Sequence, residues 1–207
     1  MKNNNIFWIS YSDLMTSLFF IMLVLFVVTI GYLQFQKQAT EKQLKKIEEL
    51  QTAVKRLPEN YFEYQPQYKR FKLRNQIQFD RGLADIKPMY IDYLEKVGKS
   101  INDTIQKLSA NENYKNFEIK YLVVIEGMAS KDPYPDNFKL SYNRAFSIYK
   151  LWKNKFQNSI MFNPEYCEIQ ISGSGIDGIR EYSGVNEYKY QQILIHIVPK
   201  ISKILEK

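Results

Sequence analysis

The 207-residue chain reads as an α+β protein with one N-terminal transmembrane helix, a helical connector and a mixed domain of order β-α-β-α-β-β. Three observations predict this. The segment from Ile6 to Leu33 is mostly apolar and unbroken from Leu18 to Val28, and about 20 such residues cross a hydrocarbon core as a helix. Gln34 to Arg56 is polar, rich in helix formers and free of Gly and Pro. Beyond it, apolar residues recur in separate blocks with either a strand or a helix period. The expected divisions are 1–33 for the tail and span, 34–66 for the connector and 67–207 for the mixed domain.

The span is read as retained. Lys2 is the only charged side chain before Asp13, the apolar run is long, and no small-x-small cleavage site follows it. Asp13 is the anomaly. An ionisable group inside a span costs roughly 2.5–3.5 kcal/mol at the membrane centre and points to function. On a helix, Ser10, Asp13 and Ser17 share one face, with Thr16 beside them. A carboxylate among hydroxyls needs a protein interface or a water path. The plainer alternative puts Asp13 at headgroup level, where Trp8 and Tyr11 suit the interface.

In the connector, Ile47, Leu50, Val54 and Leu57 follow a three-four-three spacing. Two outcomes fit: a short seam pairing two copies, or one amphipathic helix leaning on the domain. Pro58 ends it. In the domain, Arg70–Asp80 alternates as a strand. Tyr90–Leu108 has helical spacing at Ile91, Leu94, Val97, Ile101, Ile105 and Leu108. Glu118–Glu126 is a strand ended by Gly127, Ser141–Phe156 a helix, Cys167–Ser172 a strand and Tyr190–Val198 the last strand. The glycine-rich SGSGIDG stretch from Ser172 reads as a turn, because no helix-opening GxGxxG pattern follows a strand.

Composition narrows the function. The net charge is +7, from 29 basic and 22 acidic residues. The basic residues are interspersed with acids and form no arginine-rich arm, so they read as a solvated surface rather than a nucleic-acid site. A single cysteine, Cys167, forbids an intramolecular disulfide and reads as a buried, inert thiol. The single histidine, His196, sits in an apolar strand pattern. There is no HExxH, no paired cysteine ligands and no nucleophile–histidine pairing. The chain is expected not to be an enzyme and to use no metal or cofactor.

Two stretches carry a family resemblance. FWISYSDLMTSLFF resembles the start of the B subunit of bacterial ion-driven stators (MotB-like proteins), which reads W-x-x-x-Y-x-D-hydrophobic-M-T; Tyr11, Asp13, Met15 and Thr16 fit, and Trp8 matches the tryptophan one residue nearer to the tyrosine. The Ser-Asp-Leu-Met form followed by FFIMLVLF is more similar to ZorB-like members of the Zorya anti-phage system, and to other non-flagellar members, than to the flagellar Ala-Asp-Phe-Met form. IEGMASKDPYPDNFKLSYNRAFSIYKLW resembles the peptidoglycan-binding motif of OmpA-like domains, I-x-G-H/Y-T-D and then N-x-x-L-S-x-x-R-A. Ile125, Gly127, Asn137, Leu140, Ser141, Arg144 and Ala145 fit. The motif's Thr-Asp falls on Ala129 and Ser130, and its late Asn-Arg pair is replaced around Tyr190, Gln191 and Gln192.

The resemblance implies a single-pass protein of the bacterial inner membrane, N terminus cytoplasmic and OmpA-like domain periplasmic. The lysines after the span (Lys37, Lys42, Lys45 and Lys46) favour the opposite orientation, but loop charge is a bias rather than a law. The implied partners are a second copy of the chain, a MotA- or ZorA-like polytopic ring subunit in five copies, and peptidoglycan; no nucleic acid is implied. The translocated ion, proton or sodium, would load Asp13, with Ser10, Thr16 and Ser17 as the polar face of its path. Asn137, Leu140 and Arg144 would bind the stem peptide, with Asp132 standing in for the missing aspartate. Arginine suits the ligand's carboxylate, which it takes as a bidentate pair; the ligand's ammonium needs an anion. A passive wall anchor explains the domain but not Asp13. A TolR/ExbD-like transducer shares the membrane aspartate but lacks N-x-x-L-S-x-x-R-A.

Overall fold

The computed structural model describes residues 3–111, 117–130, 134–156, 158–179 and 191–204. Two compact units divide the chain, Met1–Lys46 and Ile47–Lys207.

The first unit is helical. Helix α1 runs from Asn3 to Val54, continuing past the unit's end. Among the described residues it is the one helix long and apolar enough to cross a membrane. Every side chain from Trp8 to Gln38 is exposed, including Phe19, Phe20, Met22 and Phe26 at 59–66%. An apolar surface of that extent is unfavourable in water and suits lipid or a protein partner.

Among the described residues, the second unit is a five-stranded sheet with two α-helices of its own. Its strands are β1 (Phe62–Gln65), β2 (Arg70–Leu73), β3 (Phe117–Gly127), β4 (Cys167–Gly173) and β5 (Ile193–Ile204). Its helices are α2 (Ile91–Ser109) and α3 (Asn137–Lys150). The strand order is β1-β2-β5-β3-β4. β3 and β4 are parallel, which requires the crossover that α3 supplies, and the other pairs are antiparallel. Tyr121, Val123 and Ile125 of β3 and Ile193, Ile195 and Ile197 of β5 point to the core face. There they join Leu94, Val97, Ile101 and Ile105 of α2 and Ala145 and Ile148 of α3. The period-2 and period-3.6 stripes thus meet in one core, and both helices cover one side of the sheet.

The α+β class holds, with three differences in detail. A strand precedes the expected first one: β1 forms a hairpin with β2 through Pro66–Lys69, where Lys69 takes a positive φ of 50°. The Phe62 ring meets Phe71 edge-on at 5.9 Å and the Tyr64 ring meets it tilted at 5.0 Å, which holds this short strand. The strand expected over 70–80 pairs only to Leu73. Ile77 and Phe79 are buried, but their segment joins no ladder among the described residues. The seam residues Leu50, Val54 and Leu57 lie in the core of the second unit, at 0–3% exposure. They lean on their own domain rather than pair two copies, and the second compact unit begins at Ile47.

After α3 the chain makes a π-helical turn, Leu151–Lys155. Trp152 there is buried, and its indole Nε1 donates to Leu94 O of α2 at 2.8 Å. Gly98 makes this contact possible: a Cβ there would lie 2.7 Å from both Trp152 and Ile160.

Candidate functional site

The site is built around the start of α3. Asp136 caps the helix by accepting from Lys139 N at 3.1 Å, as a short acidic side chain does at an N-cap. Asn137 donates from Nδ2 to Tyr134 O at 3.0 Å, tying the helix to its incoming loop. Leu140, Ser141, Arg144 and Ala145 all face inward and are buried.

Three of the motif residues have a packing role. A Cβ on Gly127 would come within 2.0 Å of Ser141 O and 3.3 Å of Ala145 N, and one on Gly173 within 2.5 Å of Tyr142 N. The helix therefore lies directly on β3 and β4, and only glycine beneath it and small residues on it allow that approach. Ser141 Oγ also donates to Phe138 O at 2.8 Å and accepts from Gly175 N at 2.9 Å. Gly175 O in turn accepts from Ala129 N at 2.9 Å. One turn, 174–178, thereby fixes both the helix start and the loop after β3.

Arg144 carries the polar chemistry. It is 1% exposed, not a surface arginine. Its Nε donates to Leu83 O at 3.1 Å, and its guanidinium lies 5.0 Å from the centre of the Phe79 ring. The segment around Phe79–Leu83 thus lies against it. Gly82 in that segment has φ +70° and packs on Tyr134, a backbone conformation that favours glycine. Ser130, at the position of the motif aspartate, is buried and accepts from Gln191 Nε2 at 3.1 Å, while Gln191 Oε1 accepts from Phe79 N at 3.3 Å. A neutral serine–glutamine bridge occupies the place where the motif has its acid. Asp132, expected as the substitute, and Tyr190 lie outside the described residues. The structure therefore brings Arg144 together with Phe79 and Leu83, and Phe79 with Gln191 and Ser130; Asn137 and Leu140 are buried on the same helix as Arg144.

On α1, Ser10, Asp13 and Ser17 fall on one stripe of the helix. Thr16 Oγ1 donates to Ser12 O at 2.8 Å and Ser17 Oγ to Leu14 O at 2.9 Å. These hydroxyls are satisfied by their own helix. Asp13 is exposed and makes no hydrogen bond or ion pair among the described residues.

The opposite face of the sheet holds a cluster that the sequence did not reveal. His196 Nε2 lies 2.6 Å from Glu126 Oε2, and Ser174 Oγ donates to Glu126 Oε1. Arg70, nearby, stacks on Tyr68 and bonds Gln65 Oε1 and Ile179 O, each at 2.8 Å. Burial pushes the Glu126 carboxyl upward, but the bonds from His196 and Ser174 and the charges of His196 and Arg70 outweigh it and hold the group below its ordinary range. Arg70, Glu126, Ser174 and His196 are 22 to 126 positions apart along the chain, so no local pattern exposes them. The arrangement places the carboxylate between serine and histidine. A hydrolase relay needs the histidine in the middle. Cys167 is buried, and its thiol is pushed up to about 12, chiefly by burial and then by Glu168, which leaves it protonated and inert.

No family model matches the chain, and no curated protein matches it. Among solved structures it is similar to a periplasmic domain of Helicobacter pylori MotB, at 14% identity and a TM-score of 0.41, over 69% of this chain and 88% of that one. It is similar to the OmpA-like domain of FopA1 from Francisella tularensis, at 15% identity and a TM-score of 0.39, over 69% and 82%. It is also similar to the cell wall anchor of the T6SS from Pseudomonas aeruginosa, at 16% identity and a TM-score of 0.41, over 67% and 87%.

Proposed function

We propose that this chain is the B-type, MotB-like subunit of an ion-driven stator or motor complex in the bacterial inner membrane. Its N terminus is cytoplasmic and its sheet unit is periplasmic and binds peptidoglycan. Its partners are a second copy of itself and a MotA- or ZorA-like ring of five polytopic subunits. The Ser-Asp-Leu-Met form of the membrane motif favours a non-flagellar, Zorya-type anti-phage motor over a flagellar one.

The observation that carries the reading is Asp13, a carboxylate with no bonding partner among the described residues of its own chain, on a helix whose apolar surface is wholly exposed. Such a group must find its partner, or its ion, outside the chain. With a proton or sodium ion bound, Asp13 is neutral and tolerates an apolar neighbour; the charged form requires a polar one. Alternation between the two forms biases the ring's rotation around the pair of B subunits. Ser10, Thr16 and Ser17 keep that stripe polar. In the sheet unit, Arg144 with Asn137 and Leu140 holds the wall peptide, so that the torque acts against a fixed body. No cofactor takes part.

The test is co-expression with a polytopic A-type partner, solubilisation and mass determination. A ring-sized assembly holding two copies of this chain supports the proposal. A lone chain or homodimer that still sediments with peptidoglycan supports a passive anchor instead.

A further inference from the structure

The turn after β4 is held from both faces of the sheet. On the helix side, Gly175 N donates to Ser141 Oγ and Gly175 O accepts from Ala129 N, each at 2.9 Å. On the opposite face, Ser174 Oγ donates to Glu126 Oε1, and Arg70 donates from one Nη to Ile179 O at 2.8 Å. Ser174 N also donates to Gly127 O at 3.0 Å. Residues 174–179 therefore form a strap at the ends of β3 and β4. It joins the Glu126–His196 cluster to the start of α3.

We propose that Glu126 is a positioning residue for the wall-peptide site, acting through Ser174 and this strap. The role rests on the wall-binding reading above and adds to it a residue from the opposite face of the sheet. Two routes lead from the strap to Arg144. The first runs through Ser141, which lies one turn before Arg144 on α3. The second runs through Ala129 to its neighbour Ser130, whose hydroxyl accepts from Gln191. Gln191 in turn accepts from Phe79 N, and the Phe79 ring lies against the Arg144 guanidinium. A displaced strap shifts the support on both sides of the arginine.

Three observations set Glu126 apart from a plain tie between strands. β3 and β5 are already joined by a ladder that runs from Phe117 to Gly127, so the sheet does not need a side-chain pair at this point. Glu126 is only 9% exposed, and a buried charge pair carries a desolvation cost that an apolar pair avoids; what it supplies is geometry. Its two oxygens also have separate tasks. Oε2 lies 2.6 Å from His196 Nε2, which orients the carboxylate, and Oε1 accepts from Ser174. Arg70, held by Gln65 Oε1 at 2.8 Å and by the Tyr68 ring, fixes the far end of the strap.

The experiment uses the full-length chain in detergent with two readings: amide hydrogen exchange at Ala129 and Gly175, and affinity for purified sacculi by sedimentation. Ser174→Ala removes the link and leaves the Glu126–His196 pair in place. It is expected to speed exchange at both amides by about tenfold, as the loss of one hydrogen bond does. Exchange at Val123 and Ile125 of β3 stays at the wild-type rate, and sacculus affinity falls by about three- to tenfold. Glu126→Leu is expected to match Ser174→Ala. Glu126→Gln keeps an acceptor for Ser174 and is expected to recover most of both readings. Unchanged exchange at Ala129 and Gly175 in Ser174→Ala overturns the strap. Faster exchange with unchanged sacculus affinity overturns the positioning role and leaves the wall reading intact. Equal losses in Glu126→Gln and Glu126→Leu overturn the part assigned to the acceptor. A wild-type chain that does not sediment with sacculi overturns the wall reading, and the positioning role with it.

Discussion

Gly127 shows how a single hydrogen atom sets the position of a site. Its missing side chain lets Ser141 and Ala145 rest on β3, and that contact places Arg144 beneath Phe79 and Leu83. Gly127→Ala is expected to destabilise the sheet unit by about 1–3 kcal/mol, because the helix must shift or the strand must bend; urea unfolding followed through Trp152 fluorescence measures it. Glu126 yields a pH prediction. Its carboxyl lies below the ordinary value of 4.5 in the folded chain. Its contribution is therefore fully present above that value and is lost as pH falls through the lower folded value. Glu126→Gln is expected to lower stability at neutral pH and to flatten the acid limb of the stability profile, and unfolding midpoints from pH 3 to 7 check this. Cys167 should resist iodoacetamide in the folded state and react on unfolding, as mass spectrometry would record.

At the scale of elements, the end of α1 is the part whose role the structure decides. Leu50 is fully buried and Val54 nearly so, within the core of the second unit. Leu50→Ala is expected to cost about 2–5 kcal/mol and to leave the oligomeric state unchanged, since the seam serves its own domain. Unfolding and sedimentation measured on the same sample separate the two effects. A change in oligomeric state at equal stability would return the seam to pairing copies. The β1–β2 hairpin is held by ring contacts rather than by length, so its edge depends on Phe71, which touches both Phe62 and Tyr64.

At the scale of the whole molecule, the long stripes were legible and the short pairings were not. Ile91 to Leu108 announces α2 because one helix face repeats five times, and Glu118 to Glu126 announces β3 because it is apolar and stopped by a glycine. β1 escapes notice because its alternation, Phe62-Glu63-Tyr64-Gln65, is only four residues long and sits in the short stretch between Pro58 and Pro66. The motif around α3 was legible as a pattern, yet the sequence does not divide it into Ser141 and Ala145, which pack, and Arg144, which bonds. The Glu126–His196 pair, 70 positions apart, depends on strand register, which no single strand encodes. Asp13 stood out in the sequence because its cost depends only on its apolar neighbours. The proposal joins Asp13 and the sheet unit: one carries the ion, the other holds the wall. Its central claim is that Asp13 carries the ion, and the most direct test is ion flux through the purified complex with its A-type partner in proteoliposomes, wild type against Asp13→Asn. The proposal predicts flux in the wild type and none in the variant, with assembly and wall binding unchanged. Equal flux in an assembled Asp13→Asn complex would contradict it.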